Sequence, residues 1–288
     1  MSAAEDGAKP TDIPAPGSPP EAPVALVTGA GRGIGRALTA ELARRGWRVL
    51  AGVRRPPEVP LPEGVEEVRL DVTQPDPATF PERLDALVNN AGVDPPNLPL
   101  ESLGAEQWRS VLDTNVVGVA EVTRLALPAL RSGTAPVVVN LTSAGLAVPM
   151  PFFSLYRASK AAVSAMSESL AVELAPVGVR VVEVMPGPVL TDMLAGSATV
   201  AEEIEQPGYR AMADLVEALR PATDGRAVPA ESAASAIADS IDSARAVEPG
   251  AVPLRHFCDE VGAEIGRAWQ QTPDEEHVAA FRQVFAPR

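Results

Sequence analysis

The chain has 288 residues and carries 38 acidic against 24 basic side chains, a formal charge of −14, with 46 % apolar residues. A single cysteine (Cys258) and two histidines (His256, His277) exclude an internal disulfide and a Cys/His zinc site, leave little for a His-based triad, and make a metal centre unexpected. The charge argues against nucleic-acid binding, no run of about 18 uncharged apolar residues is present to span a membrane, and Met1 to Lys9 lacks a signal-peptide pattern, so a soluble cytoplasmic protein is expected.

Residues 1–22 are rich in Pro, Gly, Ser and Ala (Pro10, Pro14, Pro16, Pro19, Pro20) with scarcely a large apolar side chain, and read as a flexible tail ahead of one domain, 23–288. Val24–Val27 is a short apolar strand. Arg36–Arg45 has helical spacing and is stopped by Gly46. Trp47–Val53, Val68–Val72 and Ala86–Asn89 read as the next three strands. A long helix is predicted over Ala105–Leu130, a strand over Val137–Leu141, a helix over Leu155–Ala175 and a strand over Val179–Met185. Thr191–Gly225 mixes acidic helix-like pieces with Gly and Pro and is predicted to form a mobile substrate flap. Glu231–Ala244 follows as an amphipathic helix, Ala251–Phe257 as a last strand and Asp274–Phe285 as a terminal helix. Strands apolar on both faces and separated by helices indicate a doubly wound, parallel α/β sheet of about seven strands, covered on both sides.

The first strand runs into Thr28-Gly29-Ala30-Gly31-Arg32-Gly33-Ile34-Gly35 and then a helix. Glycines in that place let the backbone approach a pyrophosphate, whose charge is met by amides at the helix N-terminus. The spacing Gly29-x3-Gly33-x-Gly35 is one residue longer than the usual dinucleotide fingerprint, and no Gly-Lys-Ser/Thr follows, which excludes a Walker loop. At the end of the second strand, Ala51-Gly52-Val53-Arg54-Arg55 lacks the acid that would read a free ribose 2′-hydroxyl. Arg54 and Arg55, joined by Arg32, stand where a 2′-phosphate would lie, so NADP(H) is expected ahead of NAD(H).

Ser143 lies just past the strand Val137–Leu141; Tyr156 comes thirteen residues later and Lys160 four beyond it. On a helix, positions i and i+4 share a face, so the ammonium would sit beside the phenol, stabilise the phenolate and bring its pKa down from about 10. Ser143 could then hold the substrate oxygen that Tyr156 protonates. The chain contains two lysines, and the one outside the tail falls at this position.

On these motifs the chain resembles the short-chain dehydrogenase/reductase family, in its compact branch with a Rossmann-type fold, over roughly Val24 to Met193. The resemblance implies that Ser143, Tyr156, Lys160 and Asn115 are catalytic. By the same resemblance, Asp71-Val72 contacts the adenine, and Asn89-Asn90-Ala91-Gly92 steadies the sheet near the adenine-side ribose. Asn115 bends the long helix and anchors a proton-relay water. Pro186-Gly187-Pro188-Val189-Leu190-Thr191 holds the nicotinamide carboxamide through Val189 and Thr191, and Lys160 also bonds the nicotinamide ribose. The family's pairing of its two long helices implies a homodimer or homotetramer. One departure stands out: the 17 residues between Asp71 and Asn89 include Pro75, Pro77 and Pro81, so the third helix must be short.

Leu146–Phe153 is apolar beside the reacting centre, and Met193 and Leu194 open the flap opposite, which points to a small-molecule substrate that is an apolar or bulky ketone or aldehyde. The expected activity is NADPH-dependent carbonyl reduction. An NAD-dependent alcohol dehydrogenase working oxidatively and a non-catalytic NADP-binding regulator remain open as alternatives, the intact Ser143, Tyr156, Lys160 and Asn115 weighing against the second. A methyltransferase would not need the Tyr–Lys helix.

Overall fold

The computed structural model describes residues 21–197, 204 and 206–286. The predicted tail lies outside the described residues except for its last two, as do 198–203 and 205 of the predicted flap.

Strand β1 (Val24–Thr28) alternates its side chains between two buried faces, and both faces are apolar. Such a strand is stable only in the middle of a covered sheet. It pairs in parallel with β2 (Arg48–Val53) on one side and β4 (Ala86–Asn89) on the other. The edge strand β3 (Val65–Arg69) flanks β2, while β5 (Val137–Leu141), β6 (Arg180–Val184) and a two-residue β9 (Arg255–His256) extend the other wing. The seven-stranded order β3-β2-β1-β4-β5-β6-β9 is parallel throughout. A separate ribbon pairs β7 (Val189–Leu190) with β8 (Val228–Pro229).

One face of the sheet is covered by α1 (Gly33–Arg44) and α7 (Ala230–Arg245), with Leu38, Leu42, Ile237 and Ile241 fully buried against Val27, Val49 and Val139. The other face is covered by α3 (Gly118–Arg131) and the end of α4 (Ser154–Leu174), through Val122, Ala126, Leu130 and Leu174. Gly46, at φ +83°, ends the α1 segment as its sequence position indicated.

Two expected strands need correction, and two expected helices take a more particular form. The third strand is Val65–Arg69, three residues earlier than predicted: as an edge strand it exposes Glu66 and Glu67, and the more apolar Leu70-Asp71-Val72 is the loop that follows it into the cleft. The long helix is present and runs through α2 (Ala105–Leu112), a π turn over Asp113–Val117 and α3, the π turn falling where the family resemblance places a bend at Asn115. The short third helix is a single 3₁₀ turn, Pro77–Thr79, and the sheet face it leaves is filled by Leu70, Val72, Phe80 and Leu84 packing with α3. The last strand shrinks to Arg255–His256, because the chain turns at once into an unforeseen helix, α8 (Glu260–Gln271). Within the flap region the described residues form α5 (Asp192–Gly196) and α6 (Pro207–Asp224), and α9 (Asp274–Val284) ends the described chain. No helix among the described residues is long and apolar enough to cross a membrane, and no grouping there of His, Cys, Asp or Glu could hold a metal ion.

Candidate active site

The C-terminal ends of the central strands open onto a cleft of about 860 Å³, at the point where chain connections diverge from β1 and β4. Its end at the glycine loop is built by close backbone contact. Gly29 has φ +64°, and a Cβ there would lie 2.8 Å from the Ala91 Cα. At Gly35 a Cβ would collide with the Asn90 amide and lie 2.6 Å from the Gly29 carbonyl oxygen. That Asn90 amide donates to the carbonyls of Thr28 (2.8 Å) and Gly29 (3.1 Å), while the Thr28 hydroxyl accepts from the N–H groups of Asn90 (3.0 Å) and Ala91 (2.9 Å). The glycine loop is thereby laced to the end of β4. The N-terminus of α1 has no side-chain cap and no acid in its first turn, so its amides and dipole remain directed at the cleft, a fit for a dinucleotide pyrophosphate.

Beside the glycine loop, Arg54 and Arg55 are exposed on the rim. Asp71 shares this edge. Burial works against its charge, but the Thr73 hydroxyl and N–H, with Arg54 and Arg55 beyond them, hold its carboxyl below the ordinary range. Arg32 leans the other way, its guanidinium 3.7 Å from Asp192 at the start of α5; both are solvated, so the pair is weak. Arg36 donates to the Val59 carbonyl (3.1 Å) and pins the Pro-rich loop after β2.

At the other end, Ser143 leaves β5 and caps a 3₁₀ turn, its hydroxyl accepting from the Gly145 N–H (3.0 Å). Tyr156 and Lys160 follow on consecutive turns of α4, with the Lys160 Nζ 6.0 Å from the centre of the Tyr156 ring. Lys160 is only 8 % exposed and donates to the Leu141 carbonyl (3.1 Å). Burial lowers its pKa to about 8, with Asp94 acting in the opposite direction. Burial raises the Tyr156 phenol to about 12, against the Ser143 hydroxyl, which favours the phenolate, and with a further push from Asp94. Desolvation is thus the largest influence on the phenol, while the ammonium of Lys160 donates to a carbonyl.

Asn115 sits in the π turn, and its side chain is fully engaged. Oδ1 accepts from the Val93 N–H (2.8 Å), and Nδ2 donates to the Val93 carbonyl (2.9 Å) and the Ser159 hydroxyl (3.2 Å). The Pro186–Thr191 segment is held at two points: the Pro186 carbonyl accepts from Ala144 N–H (2.8 Å), and the Gly187 N–H donates to Asp259 (2.7 Å). Asp259 also caps α8 through the Gly262 N–H (2.7 Å), so the end of the chain braces the cleft.

Of the residues singled out from sequence, Gly29, Arg32, Gly33, Ile34, Arg54, Arg55, Asp71, Val72, Ala91, Gly92, Ser143, Tyr156, Lys160, Pro186, Gly187, Val189 and Thr191 line this one cleft. Gly35 and Asn115 support it from behind. Asn89 does not reach it. Its buried amide donates to Thr123 (2.9 Å) and Asn140 (2.8 Å) and ties β4 to α3 and β5, a steadying role, while the next residue, Asn90, is the one in the cleft. The apolar stretch 146–153 contributes only Phe153 to the lining. Phe152, at φ +69°, turns away to pack on Ile204, Tyr209 and Met212. Sequence reasoning missed Asp94, Arg36, Asp259 and the α8 side chains Val261 and Ile265. The four-residue spacing of Val261, Ile265 and Trp269 behind an Asp cap was the available signal for α8. For Asp94 there was none.

The short chain dehydrogenase family matches residues 23–201. The 3-oxoacyl-[acyl-carrier-protein] reductase FabG of Staphylococcus aureus is 36 % identical over 186 residues, covering 59 % of this chain and 75 % of that protein. A short-chain dehydrogenase from Streptomyces avermitilis superposes with a TM-score of 0.71 at 29 % identity, over 91 % of this chain and 95 % of its own. A short chain dehydrogenase from Burkholderia cenocepacia, solved in complex with NADP, gives a TM-score of 0.68 at 27 % identity, over 93 % and 99 %.

Proposed function

The chain belongs to the short-chain dehydrogenase family, whose members are NAD(P)-dependent oxidoreductases acting on CH–OH and C=O groups, and within it we propose that residues 23–288 form an NADPH-dependent reductase of an apolar or bulky ketone or aldehyde. The observation that carries this reading is the convergence of Ser143, Tyr156 and Lys160 on one end of the cleft. When bound, the reduced nicotinamide supplies the hydride. The chain's own residues position the carbonyl and deliver the proton. With its pKa raised to about 12, Tyr156 is an intact phenol at neutral pH, the state needed to give a proton to a carbonyl oxygen. Ser143 orients that oxygen by hydrogen bonding, and the Lys160 ammonium opposes the negative charge left on Tyr156. Because the Asn115 side chain is spent on Val93, a relay beyond Lys160 would use main-chain groups of the π turn.

Arg54 and Arg55, with no acid at the end of β2, support a 2′-phosphate and hence NADPH. Phe153, Met193, Leu194, Val261 and Ile265 support an apolar substrate end. Exposed Val117 and Val172, on the helices expected to pair between subunits, support a homodimer or homotetramer, which light scattering would read directly.

Tyr156→Phe is expected to cut NADPH-dependent reduction of a cyclic or aryl ketone by at least about 10²-fold, while NADPH fluorescence titration still shows binding. Normal turnover by that variant would overturn the mechanism. Arg54→Ala should weaken NADPH by about tenfold, the effect of one lost charge-assisted phosphate contact, and leave NADH little changed. Equal loss for both cofactors would overturn the NADP reading.

A further inference from the structure

Asp94 is a carboxylate that the chemistry above does not use. It follows Val93, whose N–H and carbonyl are both gripped by Asn115, and precedes Pro95 and Pro96. Three residues on, the Asn97 amide donates to the Ser197 carbonyl (2.7 Å) at the end of α5. The segment is therefore pinned on both sides, and Asp94 is not a side chain on a loose, solvated loop. It lines the same cleft as Ser143, Tyr156, Phe153, Met193 and Leu194. It is half-buried there and, among the described residues, makes no hydrogen bond and no ion pair.

Among the described residues its charged neighbour in the cleft is Lys160, and the two influence each other's ionisation without forming a salt bridge. Lys160 instead donates to the Leu141 carbonyl, so Asp94 is not held in place as that lysine's counter-ion. A carboxylate kept partly out of water with no partner costs stability, and is retained where a ligand completes it. Beside Ser143, Tyr156 and Lys160, the lining near Asp94 includes the apolar Phe153, Met193, Leu194, Val261 and Ile265, so a carboxylate among them discriminates sharply between substrates.

Resting on the reductase reading, we propose that Asp94 is the specificity-determining carboxylate of the substrate cavity. It accepts a hydrogen bond from a hydroxyl or ammonium group carried by the carbonyl substrate, and it turns away carbonyl compounds that carry an anionic group. The donor completes the carboxylate's hydrogen bonding, whereas a second negative charge in a cavity of low polarity is repelled.

The test uses four ketones of one skeleton: the unsubstituted ketone and its hydroxyl, amino and carboxylate derivatives. Each is measured for kcat/KM with NADPH, and for equilibrium binding by calorimetry in the presence of NADP, in the full chain and in Asp94→Asn. The wild-type protein is expected to favour the hydroxyl or amino compound over the carboxylate by at least about tenfold. In Asp94→Asn, the ratio of carboxylate to unsubstituted ketone is expected to rise by about tenfold, and any preference for the amino compound is expected to disappear. Unchanged ratios, or a uniform fall across all four compounds, would overturn the proposal, the uniform fall being what a role through Lys160 alone would produce. If no ketone is turned over, the reductase reading fails, and the binding ratios still decide the role of Asp94. Whether the hydroxyl or the amino arm moves more identifies the donor.

Discussion

Around the glycine loop, Thr28, Gly29, Gly35, Asn90 and Ala91 meet backbone to backbone, with several hydrogen bonds over a few residues. The opposite wall, from Thr191 onward, is tied by single side chains reaching to carbonyls or amides: Asn97 to Ser197, Arg220 to Leu194, Asp259 to Gly187. Where backbones touch, almost no residue but glycine fits, and the geometry is recorded in the residue type. Where one long side chain does the tying, other residues could serve, and the wall is free to vary with the substrate.

The sharpest way to break this comparison is Gly35→Ala. The Gly29 carbonyl, 2.6 Å from the new methyl, cannot yield, and Asn90 must swing and abandon its bonds to Thr28 and Gly29. Overpacking of this kind costs about 3 kcal/mol, or roughly 6–12 °C in Tm, and NADPH affinity should fall by at least about tenfold. Calorimetry and a fluorescence titration would read both; a variant with unaltered values would show that the loop is less constrained than its contacts indicate.

On the substrate wall, Asp259→Ala removes the α8 cap and the acceptor for the Gly187 N–H. The expected loss is about 2 kcal/mol, smaller because water can reach part of the vacated site, and KM should rise more than kcat falls. A change in Tm with steady-state constants untouched would separate α8 from the site.

The smallest effect runs the other way. Burial raises the Asp94 pKa from 3.8 to about 6, Lys160 pulling it down, with Tyr156 as its other titratable neighbour. The folded state thus binds the proton more tightly than the unfolded chain, and the penalty for ionising Asp94 is absent below the unfolded pKa and complete above the folded one. Asp94→Asn should accordingly stabilise the protein by about 1 kcal/mol at pH 8, allowing for solvent screening of a half-buried group. That gain should shrink as pH falls through about 6 and vanish near pH 4. Denaturant melts at three pH values would show it, and a pH-independent difference would contradict the raised pKa.

Much of this was open to reading from residues alone. The central strands were legible because Val24–Thr28 and Val137–Leu141 are buried on both faces and so are mostly apolar. The edge strand Val65–Arg69 was misplaced because half of it faces water, and the bend at Asp113–Val117 came from the family resemblance at Asn115 and not from periodicity, since both flanking helices keep the same apolar period. Asp94 and Asn97 gave no local pattern, and the ties that Asn97 and Asp259 make are to partners far along the chain, Ser197 and Gly187.

By itself the sequence determined the α/β architecture, the glycine loop and the spacing of Ser143, Tyr156 and Lys160, because each depends on contacts within a strand, a turn or one helical face. Only the tertiary structure decided that burial raises the Tyr156 phenol, that Lys160 donates to the Leu141 carbonyl, and that Asp94 stands in the same cleft with no partner among the described residues. Those are matters of burial and of charge across the cleft, and burial exists only once segments a hundred residues apart have closed around the same space.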